Sequence, residues 1–283
     1  MQRNSYEERR KRTHRMRRRK KRMKARFMLF VMLVVVLCAI YVLWMIKNRW
    51  DGGGHSGEFI QEKINKFQAE RILDDIDVSD EVAEELRNLL KKNPETAAFV
   101  KNYSEKKDDP PADSIGEVEG GKIPLLLQWD ERWGYSFYVD NMIAVNGCGP
   151  TAVSMVAAGL TGDASITPYR VAQSAAEQGY YEEGVGTSWQ FMTEGVQQYG
   201  IYGEELVLSE NAVFSALENG QPIICSMRPG DFTTTGHFIV LTGVENGKII
   251  VNDPNSKSKS EQRWEYDRLE PQINNLWGYS LLW

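Results

Sequence analysis

The chain is 283 residues long, 42% hydrophobic and 26% charged. Those proportions suit one or two globular domains and exclude collagen-like, coiled-coil-only and wholly disordered chains. Three cysteines and three histidines exclude a disulfide scaffold and almost any zinc cage. The net charge of −5 conceals a division, with +12 carried by residues 1–26 and −17 by the remainder. Such asymmetry points to two environments rather than to one basic protein.

In chain order, the basic tail 1–26 precedes an uncharged run, Phe27–Ile46. A helix of that length rises about 30 Å, the hydrocarbon thickness of a bilayer. With Arg and Lys crowded before it, the positive-inside rule predicts a single-pass signal anchor in the cell membrane. The N-terminus is then cytoplasmic and the remainder outside, with the tail against anionic lipid headgroups rather than nucleic acid. A cleaved signal peptide is the competing reading, but KNRWDGGG follows where a small-residue cleavage site would stand. Residues 47–122 read as linker and helical stalk or collar, with nothing catalytic in them. In that stretch Val82, Leu86, Leu89 and Leu90 make one helix face behind Ser79, and Asn93-Pro94 reads as a second cap.

Residues 123–283 read as the globular domain. Gly149-Pro150 opens a short buried helix ending at Gly159, and Thr167-Pro168 opens another ending at Gly179. Thr187 and Ser188 are expected to cap a third, ending near Gly200, and Ser209 a fourth, ending at Asn219-Gly220. Strands are expected at 222–227, 237–243, 248–251 and 277–283. Helices first and strands afterwards argue an α+β fold.

His14 and His55 fall in the tail and linker, so His237 is the one histidine of the globular domain. Cys38 lies in the apolar run, which leaves Cys148 and Cys225 as candidate nucleophiles. Cys225 sits in PIICSM, where a small buried hydrophobe is the reading. Cys148 sits in GCGPT at the start of a helix, where amide groups and the macrodipole favour thiolate. The flanking glycines would let a substrate backbone approach closely. The alternatives for Cys148 are a tight-turn cysteine or a disulfide with Cys225. Glu245-Asn246-Gly247 suits a three-residue hairpin loop, which pairs Val244 with Lys248 and Ile239 with Asp253. Asp253 then shares a face with His237, Asn252 faces away, and a Cys-His-Asp triad becomes possible. A two-residue loop would turn Asp253 to the other side.

The blocks QWDERWGY, IAVNGCGPTAVSMV, TPYRVA, GTSW, GDFTTTGHFIVLTG and VNDPNS, spread over about Pro124 to Trp283, together resemble the stand-alone branch of cysteine peptidase family 39. These are papain-like enzymes related to the peptidases that cut double-glycine leaders. The resemblance implies Cys148 as nucleophile, His237 as general base and acid, Asp253 as its orienter and Gln128 as an oxyanion-hole donor. It implies a papain-like domain, with a nucleophile helix in an N-terminal helical part and a C-terminal antiparallel sheet. The expected activity is an extracytoplasmic thiol hydrolase of a bacterial, Gram-positive cell. A peptide or protein is its expected substrate, and no metal or organic cofactor is expected. A thiol acyltransferase or amidase on wall peptides stays open. So does an idle domain that binds peptide or wall through Trp129, Trp133, Tyr180, Tyr181 and Trp189.

Overall fold

The computed structural model describes residues 80–283 together with Arg71. The basic tail, the apolar run 27–46, the linker and the first part of the expected stalk lie outside the described residues. Among the described residues no helix is long and apolar enough to cross a membrane. Residues 80–283 lie in one compact unit, and its architecture is α+β.

From residue 80 the described chain opens on two helices, α1 (Asp80–Lys92) and α2 (Ala97–Lys106), joined through one turn of 3-10 helix at Pro94–Thr96. Asn93 caps that turn, its side chain accepting from the Glu95 amide, with Pro94 at the first helical position. Leu86, Leu89 and Leu90 are buried as their spacing requires, and they meet Phe99, Val100 and Tyr103 of α2. The same cluster includes Leu127, Trp129, Tyr135 and Met142. Phe99 stacks on Tyr135 with ring centroids 4.1 Å apart, and the Tyr135 hydroxyl donates to the Phe99 carbonyl at 2.8 Å. Helices α1 and α2 are therefore a collar clamped to the residues that follow.

Beyond the collar, α3 (Cys148–Thr161) is buried along nearly all its length, and α4 (Pro168–Glu177) packs against it. Thr167 caps α4 as its Thr-Pro pair predicts, accepting from the Arg170 amide. The third expected helix is instead two 3-10 turns, Trp189–Met192 and Gly195–Tyr199. Thr193 and Gly195 are poor helix formers in the middle of that stretch, and they divide it. Helix α5 (Glu210–Glu218) follows its Ser209 cap as expected.

The sheet strands are β1 (Ile201–Glu205), β2 (Ile223–Met227), β3 (His237–Glu245), β4 (Lys248–Asn252), β5 (Arg263–Trp264) and β6 (Ile273–Leu281). They lie in the order β1-β6-β2-β3-β4-β5, and every pair is antiparallel. Alternation along β3 divides the core. Phe238 and Val240 join the cluster of α3 and α4, while Ile239 and Leu241 join that of α5. Strands β1 and β5 were not legible in the sequence. A glycine and two glutamates depress the β-propensity of IYGEE, and its strand state comes from pairing with β6.

The hairpin between β3 and β4 corrects the expected register. Its loop has two residues, since Glu245 pairs with Lys248 and Val244 with Ile249. Asn246 and Gly247 both take positive φ, 52° and 76°, the form whose twist matches the flanking strands. A register shift between Leu241 and Gly243 then leaves Thr242 as one extra residue, and Val240 opposes Asn252. Past that bulge the pairing is the expected one, with Asp253 next in line opposite Ile239. The turn and the bulge each move the register by one, and the two displacements cancel.

The collar gives a direct test of its attachment. Phe99→Ala is expected to lower stability by about 3–5 kcal/mol, the cost of truncating a buried aromatic ring, read as a lower urea midpoint with unchanged slope. A loss below about 1 kcal/mol would show that the collar is not part of the cooperative unit.

Candidate active site

Cys148 is the first residue of α3 and is partly exposed. At a helix start its amide has no carbonyl within the helix to meet, and the local dipole favours negative charge on the sulfur. Gly149 serves a different purpose from the one expected. A Cβ there would stand 2.5 Å from Thr187 Oγ1, so its bare Cα admits the Tyr181–Thr187 hairpin rather than a substrate.

His237 opens β3 and is buried. Its Nε2 lies 2.7 Å from Asp253 Oδ1, and Asp253 is fully buried. Cys148 and His237 interact electrostatically, and with Nε2 engaged by Asp253 the ring nitrogen left for sulfur is Nδ1. Asn252 points the other way, its Nδ2 donating to the carbonyls of Ile123 and Pro124 at 3.3 and 3.1 Å. The structure thus brings Cys148, His237 and Asp253 into one chain of contacts and leaves Asn252 out of it.

Electrostatics follow from that chain. Burial raises the Cys148 thiol, but the His237 contact and charge, with the Phe238 and Gly149 amides, outweigh it. The thiol pKa lies below its ordinary value. Burial lowers the His237 imidazole, but the Asp253 charge and hydrogen bond and the Cys148 contact carry it above its ordinary value. The two displacements favour a thiolate–imidazolium pair. Cys225, fully buried in β2 between Ile239 and Leu276 of its neighbouring strands, is pushed upward by desolvation alone. Both thiols are free, which removes the disulfide alternative.

Gln128 is buried, and its Nε2 donates to Ala144 O at 2.8 Å with a second, longer contact to Val145 O at 3.4 Å. It lines the cleft beside Cys148 and His237. That cleft has two arms meeting at the Cys148–His237 pair. One is walled by Tyr181, Thr187, Trp189 and Arg228, the other by Asn93, Glu95, Phe232 and Lys257. The aromatic face expected for an idle binder does not exist as a patch. Trp129 and Trp133 are buried, Tyr180 and Tyr181 are half-buried, and Trp189 is the exposed member. Sequence reasoning missed Asn255 and Trp129 as supports. The Asn255 amide donates to Asp253 Oδ1 at 2.8 Å, and the Trp129 indole donates to the Asn255 carbonyl at 2.9 Å. The Asp253-Pro254-Asn255 run is turn chemistry, and it is the local signal that points to Asn255.

A partly exposed cysteine at a helix start, beside a histidine that a buried aspartate holds, is the point at which comparison with known proteins decides. The Peptidase_C39 like family matches residues 121–280, more than half of the chain. This chain belongs to the peptidase C39-like family. No curated protein matches it. Among solved structures, the peptidase domain of Streptococcus ComA, a bi-functional ABC transporter, is 20% identical, with 48% of this chain and 90% of that one covered and a TM-score of 0.36. A C39-like peptidase from Bacillus anthracis is 16% identical, with 58% and 96% covered and a TM-score of 0.34.

Thiol chemistry separates the two cysteines of the domain. Iodoacetamide at pH 6.5, followed by mass spectrometry of the cysteine peptides, is expected to label Cys148 at least tenfold faster than Cys225. Equal rates would mean that the Cys148 thiol is not activated. Cys225→Ala is expected to leave the Cys148 rate unchanged.

Proposed function

We propose that this chain is a membrane-anchored cysteine peptidase that hydrolyses peptide bonds outside the cell. The arrangement of Cys148 beside His237, itself hydrogen-bonded to buried Asp253, carries the reading, and membership of the peptidase C39-like family supports it. In this mechanism the Cys148 thiolate attacks the scissile carbonyl carbon, and the C=O electron pair moves onto oxygen. The Cys148 amide donates to that oxyanion. Gln128 Nε2 carries two hydrogens, one directed to Ala144 O. Its longer contact with Val145 O is the one that yields to the oxyanion. The His237 imidazolium gives its proton to the departing amine as the C–N bond breaks, leaving a Cys148 thioester. Neutral His237 then takes a proton from water, whose oxygen attacks the thioester. The acid leaves, and the thiolate–imidazolium pair returns. Asp253 holds the ring so that Nδ1 faces sulfur, and it stabilises the imidazolium.

His237→Ala is expected to lower turnover by about 10²–10⁴-fold, the range that a positioned acid–base group supplies. Asp253→Asn, which still accepts a hydrogen bond but carries no charge, should be less damaging, and Asp253→Ala should fall between them. Asn252→Ala is the control, expected to change stability by about 1 kcal/mol and turnover little. Product analysis of the full chain with a peptide library reads all four. A crippling Asn252→Ala beside a silent Asp253→Ala would overturn the assignment, and amine adducts in place of free acids would identify acyl transfer.

The anchor rests on the uncharged run Phe27–Ile46 and the basic tail before it. External protease on intact cells is expected to destroy a C-terminal tag and spare an N-terminal one. The reverse pattern would place the domain inside.

A further inference from the structure

The loop that delivers Asp253 is gripped from outside the family-matched residues. Asn93 Nδ2 donates to the Asn255 carbonyl and lies 3.3 Å from Asn255 Oδ1. Two residues on, the Glu95 carboxylate accepts four hydrogen bonds. They come from the Ser256 hydroxyl at 2.8 Å, the Lys257 amide at 2.8 Å, and the Ser258 amide and hydroxyl at 3.2 and 2.6 Å. Asn93 and Glu95 act as one unit, since the Asn93 side chain also accepts from the Glu95 amide at 3.0 Å. Every long-range hydrogen bond of these two side chains ends within residues 255–258.

That loop is tied to the reacting groups at its other end. Asp253 Oδ1 receives both His237 Nε2 and the Asn255 amide, so a displacement of Asn255 acts on the oxygen that holds the imidazole. The Pro254 carbonyl accepts the Gln128 amide at 2.8 Å, which couples the same loop to the oxyanion side. The collar itself is anchored independently by buried Leu89, Leu90, Phe99 and Val100. Asn102 and Lys106 of α2 add polar contacts to Glu131, well away from the loop, whereas Asn93 and Glu95 direct their side chains to the loop next to Asp253. We infer that Asn93 and Glu95 are positioning residues of the active site, and that the collar N-terminal to the matched domain fixes Asp253 against His237. This inference rests on the cysteine-peptidase reading. An imidazole held by a buried carboxylate tolerates little misplacement, because each hydrogen bond weakens steeply away from its preferred geometry.

Burial raises the Glu95 carboxyl, but the hydroxyls of Ser258 and Ser256 and the two amides outweigh it and hold its pKa below the ordinary carboxylate value. The test measures iodoacetamide alkylation of the Cys148 peptide against pH in the full chain. It compares wild type, Glu95→Ala, Glu95→Gln and Asp253→Asn, and thermal midpoints are measured in parallel. Asp253→Asn is expected to raise the acid-side inflection. Glu95→Ala should raise it in the same direction by about half to one pH unit, which is ~3- to 10-fold slower alkylation below the inflection. Glu95→Gln, which keeps one acceptor oxygen, should move it less, and it supplies the comparison if the alanine variant does not fold. A lowered thermal midpoint with an unmoved inflection would overturn the inference and leave the collar a scaffold. If wild-type Cys148 itself titrates as an ordinary thiol and Asp253→Asn changes nothing, the peptidase reading fails instead.

Discussion

The hydrogen bond between His237 Nε2 and Asp253 Oδ1 is the constraint around which the rest of the domain is arranged. A carboxylate fully removed from water is costly unless its charge is matched and its oxygens are bonded. Here a histidine supplies the match and a backbone amide a second bond, both at Oδ1, while the buried Oδ2 has no hydrogen-bond partner. The imidazole, oriented from one side by that carboxylate, has its other nitrogen left for a sulfur at the start of a helix. Removing either partner would leave a buried charge or a free-swinging ring, so the geometry of three distant chain segments has to be satisfied at once.

Three layers of structure converge on this point. Helix α3 sets the sulfur at its own N-terminus because its apolar length is buried against β3. Strand β3 begins with the histidine, and β4 runs directly into the aspartate. The loop after β4 has no regular ladder to hold it, and side chains from the collar and from Trp129 take over that task. Rigid elements thus present the nucleophile and base, while a hydrogen-bond network fixes the orienting group.

Much of this was legible in the sequence, for identifiable reasons. Glycine and proline mark the limits of α3 and α4, and Thr167 and Ser209 are caps of ordinary kind. The cysteines were separable because one lies in a continuous apolar strand and the other at a glycine-flanked helix start. What was not legible was set by tertiary partners. The strand Ile201–Glu205 is made by its neighbour, against its own composition. The two-residue turn at Asn246-Gly247 was itself open to reading, since Asn-Gly is the usual pair for two positive φ values, but the compensating bulge at Thr242 has no local signal. Glu95 and Asn93 look like cap and first-turn residues, and nothing in local sequence reveals that their second partners lie more than 160 positions away.

The extra residue at Thr242 has a meaning for how this site tolerates change. What His237 and Asp253 require of the intervening hairpin is a parity, since side chains alternate with period two along each strand. A two-residue turn is odd by one against the needed pairing, and the bulge makes the total even. Lengthening the turn by one residue while straightening the strand would keep the same two side chains face to face. Either change alone would turn one of them away. The hairpin therefore behaves as a checksum, and paired insertion and deletion within it are silent where single ones are not.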